Sequence, residues 1–221
     1  MIVVEVLFWV SLALLSWTHV LYPALAALLA RIASRPVRRE GVEPTVALIV
    51  AAYNEEGVIE RRIGNLSSLD YPSELLEVIV TSDSSTDRTE ELAAESGARV
   101  IRNPRGGKVA AQDRAVRESE SEVVAFSDAN ATWAPDALRK LVAPFADPKV
   151  GYVCGQLRLE AADGSNKEGL YWRYEMAVRS AESRLDSVTG GNGSIYAVRR
   201  SDYVEVDPRF GHDLALPYLM V

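Results

Sequence analysis

From Val6 to Ala30 the chain runs for 25 residues without a formal charge, interrupted in character only by His19 and Pro23. At about 1.5 Å per residue, a helix of that length covers the roughly 30 Å hydrocarbon layer of a bilayer with some tilt. The run is therefore read as a transmembrane helix. A signal peptide would want a basic start and a small-residue cleavage site, and a buried core helix rarely runs so long. Glu5 is the only charged side chain ahead of the run, whereas Arg31, Arg35, Arg38 and Arg39 follow it within nine residues. Positive charge gathers on the cytoplasmic side, so the span is expected in the plasma or inner membrane with the following domain in the cytoplasm. Pro23 is expected to kink the helix, with neighbouring helices able to satisfy the carbonyl it frees. On that orientation the triplets beginning at Asn65, Asn130 and Asn192, which match the glycosylation pattern, are chance matches.

The 221 residues, 48% hydrophobic and 25% charged, allow one ordinary globular domain plus a short appendage and exclude disorder. Acidic residues outnumber basic ones 31 to 24, for a net charge of -7, which argues against nucleic acid as a partner. A single cysteine, Cys154, makes no internal disulfide, and two histidines are too few for a Cys/His zinc site. Any metal must sit on oxygen.

Residues 1–43 are read as the anchor and a basic linker, and 44–221 as the soluble domain. Thr45 to Ala52 is continuously apolar and β-branched, as in a strand buried on both faces of a parallel sheet. Asn54, Glu55 and Glu56 can open a helix with Val58, Ile59, Ile63, Leu66 and Leu69 on one face, ending at Pro72. The cycle repeats: a strand at Leu75 to Thr81, a helix opened by Ser85 or Thr86 up to about Ser96, and a strand at Arg99 to Arg102. A helix from about Gly107 to Glu118 and a strand at Glu122 to Ser127 follow. Beyond Trp133 come a helix from Pro135, a longer strand at Val150 to Leu159, an amphipathic helix at Lys167 to Leu185 and a short strand at Ser194 to Val198. The fold class is α/β, a mostly parallel open sheet with helices on both faces.

Ligands of such sheets bind beyond the carboxyl ends of the strands. Three of those ends carry Glu55, Asp83 and Asp128. Carboxylates crowded there repel one another unless a cation or hydrogen-bond donors offset the charge, and a magnesium or manganese ion is the economical reading. In Asp128-Ala-Asn130 an extended segment would turn a carboxylate and an amide oxygen to the same side. The alternative stays open for each residue, because Asp and Asn also form turns after strands, and Ser85 or Asp87 can simply cap a helix. Arg105-Gly-Gly-Lys108 fails as a Walker loop, since Arg102 stands where the first glycine belongs and Val109 where Ser or Thr does. It leaves a flexible basic turn able to offer Lys108 and backbone amides to a diphosphate.

Five motifs then occur in order: Ala-Tyr-Asn-Glu-Glu at 52 to 56, Ser-Asp-Ser-Ser-Thr-Asp at 82 to 87, Gly-Gly-Lys at 106 to 108, Ser-Asp-Ala-Asn at 127 to 130 and Gly-Asn-Gly-Ser at 191 to 194. Each is weak alone, but together, from Pro44 to the end, they resemble the family 2 glycosyltransferases with their type A fold. The single span, the Tyr22-Pro23 pair and the Tyr171-Trp-Arg-Tyr-Glu175 helix are similar to membrane-bound polysaccharide synthases. The resemblance implies that Ala51, Tyr53, Glu55 and Asp83 contact the base and ribose of a nucleotide-diphosphate sugar, expected to be a UDP-sugar, and that Lys108 touches its diphosphate. It gives Asp128, with Asn130, the metal role for Mg2+ or Mn2+, where Asn130 departs from a second aspartate. Asp213 becomes the general base, with His212 in place of the usual acidic neighbour. Gly191, Asn192 and Gly193 form the loop for a glycan or lipid-linked acceptor. Trp172 is a candidate for stacking on a sugar, although aromatics at helical spacing are more often packing. The implied reaction is a single inverting displacement. Processive members usually continue into a Gln-x-x-Arg-Trp motif and further membrane helices, so the chain resembles a synthase cut short at Val221.

Two other function classes stay open. One is a non-catalytic subunit that binds nucleotide sugar or partners a synthase. The other is a nucleotidyltransferase, which the lack of a basic triphosphate loop disfavours.

Overall fold

A strand cannot satisfy its own backbone, and this requirement builds most of the molecule. The computed structural model describes residues 2–156, 169–188 and 190–220. In chain order its elements begin with α1 (Ile2–Ser16), a π-helical turn (Trp17–Leu21), α2 (Tyr22–Ile32), β1 (Val46–Ala52), α3 (Ile59–Ser67) and β2 (Leu76–Ser82). Then come α4 (Thr89–Glu95), β3 (Arg99–Arg102), α5 (Lys108–Arg117), β4 (Val123–Asp128), α6 (Ala137–Val142), β5 (Tyr152–Cys154), α7 (Leu170–Leu185), β6 (Tyr196–Arg199) and α8 (His212–Leu219). They form two compact units, Met1–Pro36 with Arg158–Thr189, and Val37–Leu157 with Gly190–Val221.

In the larger unit six strands lie in the order β3-β2-β1-β4-β6-β5. β1 sits between β2 and β4, parallel to both, and β3 continues the parallel set. β6 runs antiparallel to β4, and β5 antiparallel to β6. Alternate residues of β1 serve opposite faces. Leu48 and Val50 pack with Ile59, Ile63 and Leu66 of α3 and with Leu138 and Leu141 of α6. Ala47 and Ile49 pack on the other side with Val109, Ala115 and Val116 of α5 and Leu216 of α8. Both faces are therefore covered, which explains the unbroken apolar run.

Three helix starts differ from the sequence reading. Asn54 does not open α3. It takes a left-handed backbone (φ 54°), and its Oδ1 accepts the Thr86 N–H at 2.8 Å, so 54–58 becomes a loop tied to the end of β2. α4 opens at Thr89 rather than at Ser85 or Thr86, and Asp87, the other cap candidate, accepts the Thr89 N–H at 3.0 Å. α6 opens at Ala137, after a turn at Pro135 whose carbonyl accepts the Asp70 N–H at 2.8 Å. Of the expected strand 150–159 the structure shows Tyr152–Cys154, while 157–159, like 167–168 at the start of the expected helix, lies outside the described residues.

In the smaller unit Ile2–Ile32 is one helix long and apolar enough, by length and composition, to cross a membrane. None of its residues up to Leu21 is buried. Pro23 has no N–H and crowds the carbonyl of His19, four residues earlier. The backbone widens into the π-helical turn, with the Tyr22 N–H bonded to the Trp17 carbonyl, and the Tyr174 hydroxyl of α7 donates to the His19 carbonyl at 2.9 Å. Small residues let α2 and α7 approach: Ala26, Ala30 and Ala181 are buried together. The Tyr22 hydroxyl donates to Glu182 at 2.6 Å, and Arg35 pairs with Asp186 at 2.7 Å.

Candidate active site

The parallel register brings the carboxyl ends of β1, β2 and β4 level, with Ala51 opposite both Thr81 and Asp128. A cavity of about 280 Å³ opens there, lined by Ala51, Ala52, Tyr53, Glu55, Asp83, Lys108, Asp128, Ala129 and Asn130. Every residue assigned from the sequence to the nucleotide sugar or the metal lines this one cavity.

Of the two expected ways to offset the acidic crowding, a cation or hydrogen-bond donors, Asp83 takes donors. Asp83 Oδ1 accepts the N–H groups of Gly106 (2.7 Å) and Gly107 (3.0 Å), and Arg105 lies 3.2 Å from Oδ2. Gly107 presents its amide from a positive φ of 88° that suits glycine. The Gly106 and Gly107 amides are thus bonded to Asp83, and Lys108 is the residue of this turn that lines the cavity. Arg105, which the sequence reading did not single out, also lays its guanidinium 3.4 Å over the Tyr53 ring.

Asp128 ends β4. Asn130 follows in a turn rather than an extended segment, with the Ala131 N–H donating to the Asp128 carbonyl at 3.3 Å, yet both residues reach the cavity. One Asp128 oxygen is paired with the Lys108 ammonium, and the other accepts the Ser194 hydroxyl at 2.6 Å. Among the described residues no three His, Cys, Asp or Glu side chains are grouped to hold an ion by themselves. Asp128 and Asn130 offer oxygen donors suited to a hard divalent ion, provided water and phosphate oxygens complete its shell.

Behind Asp128 lies a polar layer that the sequence reading missed. Arg62, 1% exposed, donates to Ser127 Oγ at 2.6 Å and to Asn65 Oδ1 at 2.5 Å, and packs over Trp133. Burial lowers its pKa to about 10 against the opposing pull of Asp128. Its signal was a cation on the apolar face of α3, between Ile59 and Ile63. Trp133 Nε1 in turn donates to the Ser194 carbonyl at 3.1 Å.

Asp213 stands in the first turn of α8, and its carbonyl accepts the Gly191 N–H at 2.6 Å. A Cβ on Gly211 would lie only 2.5 Å from Asp213 Oδ1, so glycine there leaves this carboxylate its space. Gly191 bonds the Asp213 backbone while Ser194, three residues on, holds Asp128. The glycine loop therefore links the candidate base to the cavity, although neither Asp213 nor residues 191–193 line it. His212 turns the other way. It is buried, with Nδ1 2.9 Å from the Tyr196 hydroxyl and Nε2 3.4 Å from Asp113. Burial pushes the Tyr196 and Tyr203 hydroxyls well up, so both stay neutral. Trp172 is half-buried on α7, in the other unit.

Residues 47–206 match the profile described as glycosyl transferase family 2. The chain is 34% identical to a beta-monoglucosyldiacylglycerol synthase of Nostoc sp. over 85% of its own length and 42% of that protein. An N-acetylglucosaminyltransferase of Sinorhizobium fredii is 32% identical over 76% of the chain and 44% of its own length. Among solved structures, a mannosyltransferase from Pyrobaculum calidifontis, in complex with GDP-Man and Mn2+, superposes with a TM-score of 0.69 at 28% identity, over 86% of this chain and 55% of that one. The chain thus spans less than half the length of these two curated relatives.

Proposed function

The chain belongs to glycosyl transferase family 2, and from that premise we propose that it is a membrane-anchored, inverting glycosyltransferase moving a hexosyl or N-acetylhexosaminyl group from a UDP-sugar to a glycan or lipid-linked acceptor. The observation that carries this reading is the single cavity at three parallel strand ends, lined by Tyr53, Asp83, Lys108 and Asp128. Relatives that glycosylate a diacylglycerol or transfer N-acetylglucosamine support the acceptor and sugar classes. The long apolar helix followed by arginines supports anchoring in the plasma or inner membrane with the catalytic domain cytoplasmic.

In this reading Ala51, Tyr53 and Glu55 receive the base and ribose, on a wall that Asp83 stiffens by pinning the glycine turn. Lys108 takes the diphosphate. Asp128 and Asn130 would hold Mg2+ or Mn2+, which when bound supplies Lewis-acid stabilisation of the leaving diphosphate. Gly191, Asn192 and Gly193 bring the acceptor hydroxyl to Asp213. Asp213 removes the hydroxyl proton as the oxygen bonds to the anomeric carbon from the side opposite the diphosphate. The carbon–oxygen bond to the diphosphate breaks in the same step, inverting the centre.

The full chain in detergent, given UDP-glucose, UDP-N-acetylglucosamine or GDP-mannose with Mn2+, should release nucleoside diphosphate from one of the UDP donors, and Asp128→Ala should abolish release. Undiminished release by Asp128→Ala would overturn the site assignment. Donor binding without release from any of them would move the reading to a non-catalytic subunit.

A further inference from the structure

Asp128 is not a bare carboxylate waiting for an ion. Ser194 Oγ holds Oδ2 at 2.6 Å, and the Lys108 ammonium occupies Oδ1. Arg62 adds a second positive charge behind it, buried and fixed by Asn65 and Ser127. A divalent ion arriving alone therefore meets a neutralised pair backed by a cation, and must compete with Lys108 for the carboxylate.

Lys108 is able to leave. Its side chain is 47% exposed on a flexible four-carbon stem. It also sits on the first residue of α5, where the positive end of the helix dipole disfavours a cation and favours any anion that approaches. A diphosphate entering the same cavity brings more negative charge than Asp128 does.

We propose that Lys108 is an exchangeable counter-ion: it neutralises Asp128 in the empty site and passes to the donor's diphosphate on binding, so that Asp128 becomes available to a divalent ion only together with the donor. The inference rests on the nucleotide-sugar reading above and adds an order to it. Metal and nucleotide should bind with positive coupling, each raising the other's affinity by the same factor, typically about 5- to 150-fold for such linkage.

The test is Mn2+ binding by the full chain in detergent, read from the free-ion paramagnetic resonance signal with and without UDP. The unaltered protein should bind Mn2+ weakly alone and at least about fivefold tighter with UDP. Lys108→Met should bind Mn2+ without UDP about tenfold tighter, gain less from UDP, and bind UDP itself more weakly, an effect on the scale of one coupling. Lys108→Arg, which keeps the charge, should bind Mn2+ without UDP as weakly as the unaltered protein, and this separates loss of charge from loss of fold. If UDP binds but Lys108→Met takes up Mn2+ alone no better than the unaltered protein, the exchange is overturned while the donor reading stands. If UDP binds to none of the proteins, the donor reading fails and the exchange with it.

Discussion

Two leucines in apolar runs have opposite fates: Leu14 in α1 is 61% exposed, and Leu48 in β1 is fully buried. The runs around them are similarly hydrophobic, so hydropathy does not separate them. What differs is the backbone. A helix closes its hydrogen bonds within itself and can present its apolar side chains to any apolar medium. A strand leaves donors and acceptors on both edges, so β1 recruits β2 and β4 and then needs helices over each face. The sheet unit accordingly makes its own core and its own cavity, while no residue of α1 is buried.

That contrast can be broken experimentally, and the largest expected effect sharpens where the chemistry lives. Asp213→Asn should lower the rate of transfer by about 10²- to 10⁴-fold while donor binding, unfolding midpoint and membrane partition stay unchanged. Leu48→Ala should cost about 2–5 kcal/mol in denaturant unfolding, whereas Leu14→Ala should stay within about 0.5 kcal/mol. Equal costs at the two sites would erase the distinction. Leu14→Arg should disfavour insertion by about 3 kcal/mol, moving protein into the soluble fraction after carbonate extraction. If the sheet is independent of that anchoring, its unfolding midpoint should hold. Smallest, Tyr174→Phe removes the donor to the His19 carbonyl beside Pro23 and should cost about 1 kcal/mol, read as lower thermal stability of the helix pair.

Much of the sheet was legible because its signals are local. Continuous β-branched runs mark buried parallel strands, and Asp83 and Asp128 come directly after or at the end of strands, where any open α/β sheet exposes its residues. The turns were less so. Asn54 takes a left-handed backbone and exchanges hydrogen bonds with Ser85 and Thr86 across two loops, and nothing near it in the chain announces these partners. Asp83 reads from the sequence as a nucleotide contact, and its role as acceptor for the Gly106 and Gly107 amides, twenty-odd residues away, is visible only in the folded chain. His212, adjacent to Asp213, faces a different side of α8, towards Tyr196, Tyr203 and Asp113, because successive helical residues are about 100° apart.

Residue types and their spacing, then, already determine that this chain makes a long apolar helix and a parallel α/β sheet with acidic strand ends, since period and hydropathy act over a few neighbouring residues. Only the tertiary structure decides what each charge meets: Lys108 on Asp128, Arg62 beneath it, the Gly191 amide on the Asp213 carbonyl. Electrostatic partners are chosen by distance in space, and the pairs that matter here are separated by twenty to nearly seventy positions along the chain.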